Sequence, residues 1–325
     1  MKYRMLGKTG LEVSVVGLGT WQFGGQWGKH FAQTEVDQII AAARERGINF
    51  IDTAECYGEN HLSESLIGKA IRGQRSNWIL ATKFGHKPGG SKDKRAYYSA
   101  QEVEKQLADS LRALQTDYID VYQFHSGGNL VFDNDELWQM LQGKIEQGVI
   151  RHLGISIGDN TNMHQTTGAE HRNCATLQLI YNRLNQRASA EVLPEAQRQN
   201  LGVIVRTPLA SGFLSGKYQA GTRWPEGDVR HQRDPESIDA QLREVMRITD
   251  QECPQETPMA AWAIAWSLQH PAIACAIPGC KSIQQLETNC LAAEQALAWD
   301  AHPLARKKPG LISRVLARFS TGRGR

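Results

Sequence analysis

Residues 47–58 read Gly47-Ile48-Asn49-Phe50-Ile51-Asp52-Thr53-Ala54-Glu55-Cys56-Tyr57-Gly58. A glycine stops a helix, the apolar run 48–51 forms a strand, and that strand ends abruptly on the carboxylate of Asp52. The phenol of Tyr57 follows on the loop. Two other apolar runs end in the same manner, Trp78-Ile-Leu-Ala-Thr82 at Lys83 and Tyr118-Ile-Asp-Val-Tyr-Gln-Phe124 at His125. Near-continuous apolar strands suit a parallel sheet buried on both faces. If the three are parallel neighbours, Asp52, Tyr57, Lys83 and His125 converge at one rim.

Working outward, strand and helix signals alternate along the chain. Residues 1–12 read as a short hairpin turning at Lys8-Thr9-Gly10, and 13–19 as the first buried strand. Thr34 caps a helix that Gly47 stops. Further helices are expected near 61–72, 99–114, 134–147, 160–170, 189–199, 258–269 and 282–297. A long Gly- and Pro-punctuated insertion, about 210–256, carries a helix near 235–249. Strand ends fall near 19, 52, 83, 125, 156, 181, 206 and 277, each gap long enough for a right-handed crossover. Eight such units predict an α/β fold, a (β/α)8 TIM barrel with an N-terminal β-hairpin and a long insertion after strand 7. Active sites of that fold gather at the carboxyl ends of the strands. A doubly wound dinucleotide fold loses its main support, because Gly17-Leu-Gly19-Thr-Trp-Gln22 lacks the third glycine of its fingerprint.

Composition narrows the class. The 325 residues are 41% hydrophobic and 22% charged, as in an ordinary soluble protein. No apolar run approaches a membrane span, and Met1-Lys-Tyr-Arg-Met-Leu6 lacks the apolar core of a signal peptide. Six cysteines without zinc-ligand spacing read as reduced thiols in a cytoplasmic protein. The net charge of +3 conceals an asymmetry: seven of the 37 basic residues lie in 301–325, which holds no Asp or Glu, leaving 30 against 34 acidic residues elsewhere. The body is therefore about −4, with no basic signature for nucleic acid. Residues 1–300 read as one barrel domain and 301–325 as a basic C-terminal tail.

The four rim residues suit proton delivery. A tyrosine is a weak acid, with an ordinary pKa of about 10, and a nearby cation makes proton release less uphill. Lys83 supplies that cation, Asp52 holds it as ammonium, and His125 can orient a carbonyl. No side chain gives hydride, so reduction requires a nicotinamide or a flavin. Singly, a strand-end Asp, Lys or His is often only a salt bridge or a satisfied hydrogen bond. Four of matching types on three neighbouring strand ends are far less an accident.

Over about residues 3–297 the sequence resembles the aldo-keto reductase family. The resemblance rests on Asp52-Thr-Ala-Glu-Cys-Tyr57-Gly58, Ala81-Thr-Lys83, Tyr122-Gln-Phe-His125, Gln178-Leu-Ile-Tyr181-Asn182, Pro208-Leu-Ala-Ser-Gly-Phe-Leu-Ser-Gly-Lys217-Tyr218 and Ile277-Pro-Gly-Cys-Lys-Ser-Ile-Gln-Gln-Leu-Glu-Thr-Asn289. It implies a barrel reductase that binds NADP(H) extended across the rim; nothing in the sequence reads as a dedicated anion site, so small aldehydes, ketones and α-dicarbonyls are all open as substrates. Tyr57 would be the acid, Lys83 and Asp52 its tuners, and His125 the residue that positions the carbonyl. Gly19, Thr20 and Trp21 would touch the nicotinamide ribose and substrate, and Ser156 and Gln178 the carboxamide. Ile157 stands where the family often has Asn, and Arg206 where a stacking aromatic is common. A guanidinium plane is less comfortable against an oxidised, cationic ring, which would favour release of NADP⁺. Leu209, Ser211, Gly212, Leu214 and Lys217 match the pyrophosphate clasp. Gly279, Lys281, Ser282, Gln285 and Asn289 match the adenosine end, where helix N–H groups and a lysine suit a 2′-phosphate and favour NADP. Gln285 replaces an arginine of many relatives. Trp21, Phe84, Phe213 and Trp224 are the aromatic candidates for a substrate pocket.

Other signals point less far. His164, His171 and Cys174 lie close together in a polar segment, and no metal is expected there. Leu311, Ile312, Val315, Leu316 and Phe319, with Arg314 and Arg318 opposite, trace a basic amphipathic stripe. Such a stripe suits acidic lipid or a partner, although a docked helix or loose tail is the blander reading. Two rival functions stand beside reduction. One is a Schiff-base lyase using Lys83, against which the neighbouring Asp52 argues. The other is a nicotinamide-binding sensor or regulatory subunit with little turnover.

Overall fold

The structure, a computed structural model, describes residues 1–86 and 97–295. The basic tail and the last two positions of the expected final helix lie outside the described residues. Tyr3–Met5 (β1) and Glu12–Ser14 (β2) form the expected antiparallel hairpin, Tyr3 opposite Ser14. The single buried strand expected over 13–19 is divided instead: its start belongs to β2, and Leu18–Gly19 (β3) opens the main sheet.

Seven more strands follow: Phe50–Asp52 (β4), Ile79–Phe84 (β5), Ile119–His125 (β6), Ile150–Ser156 (β7), Cys174–Ile180 (β8), Gly202–Arg206 (β9) and Ile273–Ala276 (β10). From β3 to β10 each pairs in parallel with the next in chain order. The outer strands then meet. Val16 bridges Ala276 and Gly19 bridges Gly279, both in parallel, and Gly17 donates to the Ala276 carbonyl at 2.8 Å. The sheet thus curls on itself as a (β/α)8 barrel. A side chain at Gly19 would bring its Cβ within 2.5 Å of the Ile277 carbonyl, so the seam requires that glycine.

The helices are Gln33–Glu45 (α1), Leu62–Ala70 (α2), Ala100–Leu114 (α3), Asn129–Phe132 (α4), Asp135–Glu146 (α5), Met163–Gly168 (α6), Val192–Arg198 (α7), Pro235–Glu252 (α8), Met259–Leu268 (α9) and Ile283–Gln295 (α10). Local chemistry sets their starts. Ser99 caps α3 by accepting from the Glu102 N–H. Asp234 accepts from the Ser237 N–H at 2.8 Å, with Pro235 as the first residue of α8. Thr34 does not cap α1: Ala32 takes that place, and Glu35 reaches back to its N–H at 2.9 Å.

The insertion is anchored by its own apolar seam. Ile238, Leu242, Val245 and Ile248 of α8 bury against Phe213, Leu214, Trp224 and Met259. Burying each large aliphatic side chain is worth about 1.5–3 kcal/mol. This seam carries the segment 210–234 over the carboxyl end of the barrel, where β4, β5 and β6 deliver Asp52, Lys83 and His125. Among the described residues no helix is long and apolar enough to cross a membrane.

Candidate active site

Register places three of the four rim residues. Ile51 and Asp52 pair with Leu80 and Ala81, and Lys83 pairs with Gln123, so Asp52, Lys83 and Gln123 occupy successive strands. The Lys83 ammonium is fully buried and spends its three protons on Asp52 Oδ1 (2.6 Å), the Thr53 carbonyl (2.7 Å) and Tyr57 Oη (3.1 Å). The other carboxylate oxygen of Asp52 accepts from Gln123 Nε2 (3.1 Å) and Gln178 Nε2 (2.8 Å). A buried ion pair costs more in lost hydration than it returns unless its remaining polar atoms are satisfied. Here they are.

This arrangement fixes a direction. An ammonium only donates, so Tyr57 Oη accepts from Lys83 and its own proton is free for a third partner. Burial raises the Tyr57 pKa, and Lys83 offsets that rise only in part. Sequence reasoning weighed the cation and left out the burial. Burial lowers the Lys83 pKa, but Asp52 and Tyr57 more than reverse it, so the net shift is upward.

His125 ends β6 with its ring centroid 6.3 Å from that of Tyr57. Burial, followed by Lys83, His86 and Arg206, holds its pKa well below the usual histidine value. The ring is neutral at pH 7. Trp21 stacks on Tyr57 at 5.9 Å and meets Trp27 edge-on at 5.0 Å.

These groups open onto a cavity of about 1290 Å³ lined by Asp52, Cys56, Tyr57, His86, His125 and Arg206 at one end and by Lys281, Gln285 and Asn289 at the other. Gly19, Thr20, Trp21, Leu209, Ser211, Gly212, Lys217 and Gly279 also line it. Leu214, Ser282, Ser156 and Gln178 do not; Ser156 and Gln178 are fully buried. Leu214 is core, and Ser282 caps α10 by accepting from the Gln285 N–H at 3.2 Å. Thr20 turns its hydroxyl inward to the Asp52 carbonyl. Of the expected substrate aromatics, Trp21 alone lines the cavity. Phe84 packs against Tyr122 and Phe124, and Phe213 against Trp224; their apolar character marks core, not pocket.

The site also contains residues that sequence reasoning missed. Arg230 is buried and pairs with Asp228 at 2.6 Å, lies 4.6 Å from the Trp224 ring, and donates to the Ser211 carbonyl at 3.3 Å. Arg233 donates to Ser211 Oγ at 2.8 Å. His86 packs its ring 4.6 Å from that of His125. Asp228 and the two arginines sit in the polar loop 225–234, and only folding of the insertion turns them toward the clasp. Of the residues declined as metal ligands, His164 hydrogen-bonds Asp133 at 2.7 Å.

The residues fit a nicotinamide dinucleotide on grounds internal to the structure. Ser156 and Gln178 are register partners on β7 and β8, and Ser156 Oγ and Gln178 Oε1 are buried with no hydrogen-bond partner among the described residues. One donor and one acceptor left open side by side match a carboxamide. Arg206 donates to the Ile157 carbonyl at 3.1 Å. At the clasp, Ser211 (φ 61°) and Gly212 (φ 92°) hold left-handed backbone. Lys217, Arg230 and Lys281 all line the cavity, a cationic lining suited to phosphate.

The chain is a barrel with a buried Asp–Lys–Tyr cluster at the carboxyl end of its strands, and comparison gives it a family. The aldo/keto reductase family model matches residues 15–304, and the chain belongs to that family. Aldo-keto reductase YhdN of Bacillus subtilis is 32% identical over 296 residues, covering 88% of this chain and 87% of that one. The uncharacterized oxidoreductase YrpG of the same species is 33% identical, covering 91% and 92%. Among solved structures, the holo form of aldo-keto reductase AKR11C1 from Bacillus halodurans superposes with a TM-score of 0.71 at 29% identity, covering 93% of this chain and 99% of that one.

Proposed function

We propose that this chain reduces an aldehyde or ketone to an alcohol with NADPH. The observation that carries the reading is the direction of the Lys83–Tyr57 hydrogen bond: the phenol accepts from a fully committed ammonium and keeps its own proton for the cavity. NADPH, when bound, supplies the hydride. Tyr57 gives its proton to the carbonyl oxygen as negative charge develops there. Lys83 stabilises the resulting phenolate, and Asp52, held by Gln123 and Gln178, keeps the ammonium in place. Neutral His125 donates to the same oxygen and fixes the angle of the carbonyl. Trp21, stacked on Tyr57 and met edge-on by Trp27, forms an apolar wall beside the phenol.

Ser156 and Gln178 would hold the carboxamide, Arg206 would lie against the ring, and Ser211, Gly212, Lys217 and Arg230 would cradle the pyrophosphate. Lys281, Gln285 and Asn289 would meet the adenosine end, where the lysine favours NADP over NAD. A Schiff-base role for Lys83 is disfavoured by the same geometry, since an ammonium with all three protons engaged is no nucleophile. NADPH consumption with a panel of aldehydes and ketones tests the reading, with Tyr57→Phe as control.

A further inference from the structure

The loop between Asp52 and Tyr57 holds a thiol that the proton relay does not use. Cys56 lines the cavity, and its Sγ lies 3.8 Å from Nδ1 of His125. Both partners are held from behind. The preceding residue, Glu55, is buried, and its carboxyl accepts from the N–H groups of Gly85 (2.9 Å) and His86 (3.1 Å). The backbone of His125 is tied by Tyr98, whose hydroxyl donates to the His125 carbonyl at 2.6 Å. The Tyr98 ring fills the space that side chains at Gly85 and Gly127 would need.

We propose that Cys56 is a positioning residue whose thiol donates to Nδ1 of His125 and so sets that imidazole as the Nε2–H tautomer. The inference rests on the carbonyl-reductase reading above and assigns a task there to a residue left out of it. A neutral imidazole has one donor nitrogen and one acceptor nitrogen, and the bond made by one decides the role of the other. Burial pushes the Cys56 thiol up to about 12, so at neutral pH the sulfur keeps its proton and is the donor of the pair. A thiol sulfur is a poor acceptor, so the pairing in which neutral His125 accepts at Nδ1 is the one assigned. Its Nε2 carries the hydrogen and can meet a substrate oxygen. With the opposite tautomer an Nε2 lone pair would face that oxygen, acceptor against acceptor.

Nitrogen NMR of histidine-labelled full-length protein, without cofactor or substrate, reads the tautomer directly; the His125 signal is assigned by its loss in His125→Gln. The expected spectrum has Nε2 protonated and Nδ1 bare in the wild type. Cys56→Ala should give a mixture of tautomers, and Cys56→Ser, which retains a donor, should restore the wild-type form. In turnover, Cys56→Ala should lower kcat/KM about three- to tenfold with the NADPH Kd unchanged, and Cys56→Ser should recover it. A wild-type His125 protonated at Nδ1, or a tautomer indifferent to Cys56→Ala, would overturn the proposal. Because the spectrum needs no turnover, its outcome is separate from any failure of the enzyme to reduce a carbonyl.

Discussion

Lys83 Nζ lies 3.1 Å from Tyr57 Oη and donates to it, with the ammonium itself held 2.6 Å from Asp52. That bond makes the phenol an acceptor on its buried side and a donor toward the cavity. Replacing Lys83 by Met should therefore damage two properties together. Asp52 would remain as an uncompensated buried charge, which costs about 3–5 kcal/mol. The phenolate formed on proton release would lose its stabilising cation. Urea unfolding should show the first effect and single-turnover rates the second. Unchanged stability would mean that the pair is not buried as described.

Gln178 Nε2 donates to Asp52, while its Oε1 has no hydrogen-bond partner among the described residues and is the acceptor proposed for the carboxamide. Gln178→Glu keeps the shape, removes the donor and sets a carboxylate against Asp52. NADPH affinity, read by fluorescence quenching, should fall roughly tenfold or more, since a buried polar group left unpaired costs about 1–3 kcal/mol. An unaltered Kd would place the carboxamide elsewhere.

Arg230 offers a test of the clasp. Arg230→Met keeps an unbranched apolar side chain and removes the guanidinium, along with its contact on the Trp224 ring. A hydrogen bond to a charged group is worth about 1.5–3 kcal/mol, so the NADPH Kd should rise roughly ten- to a hundredfold, while kcat at saturating cofactor changes little. Asp228, left without its partner, should make the variant somewhat less stable as well.

Glu55 predicts a pH dependence of stability. Desolvation raises its pKa from 4.5 to about 8 in the folded chain. The folded protein therefore binds more protons than the unfolded one between those values, and stability falls as pH rises through that window. The contribution is fully present below about pH 4.5 and lost above about pH 8. Tm measured from pH 5 to 8.5 should drop less in Glu55→Gln than in the wild type, because the amide can still accept from Gly85 and His86 without ionising.

The barrel was legible in the sequence because its strands are short apolar runs that stop at charged or polar residues, and register alone then stacks Asp52, Lys83 and His125 on neighbouring strand ends. Ser156 and Gln178 were reached differently, through the family resemblance, since Gln178 lies inside β8 and not at its end. Other features depended on packing that a linear pattern does not encode. Phe84 and Phe213 have the composition of a pocket wall, yet both are covered by neighbouring rings. Gln123 looks like an ordinary strand residue until its amide is found on Asp52. Arg230 and Arg233 sit in a loop whose course depends on α8 docking, so nothing local in 225–234 pointed them at Ser211. His86 stands three residues beyond Lys83, and this spacing was a signal that could have been followed.

In the proposed reaction Tyr57 delivers a proton to a carbonyl oxygen while NADPH is consumed. This step is tested most directly by steady-state NADPH oxidation with a reactive aldehyde in the wild type and in Tyr57→Phe, alongside the NADPH Kd of both. The expected result is turnover by the wild type and a roughly 10²- to 10⁴-fold lower kcat in Tyr57→Phe, with cofactor affinity preserved. Equal rates in the two proteins, or NADPH binding without oxidation by any carbonyl compound, would contradict it.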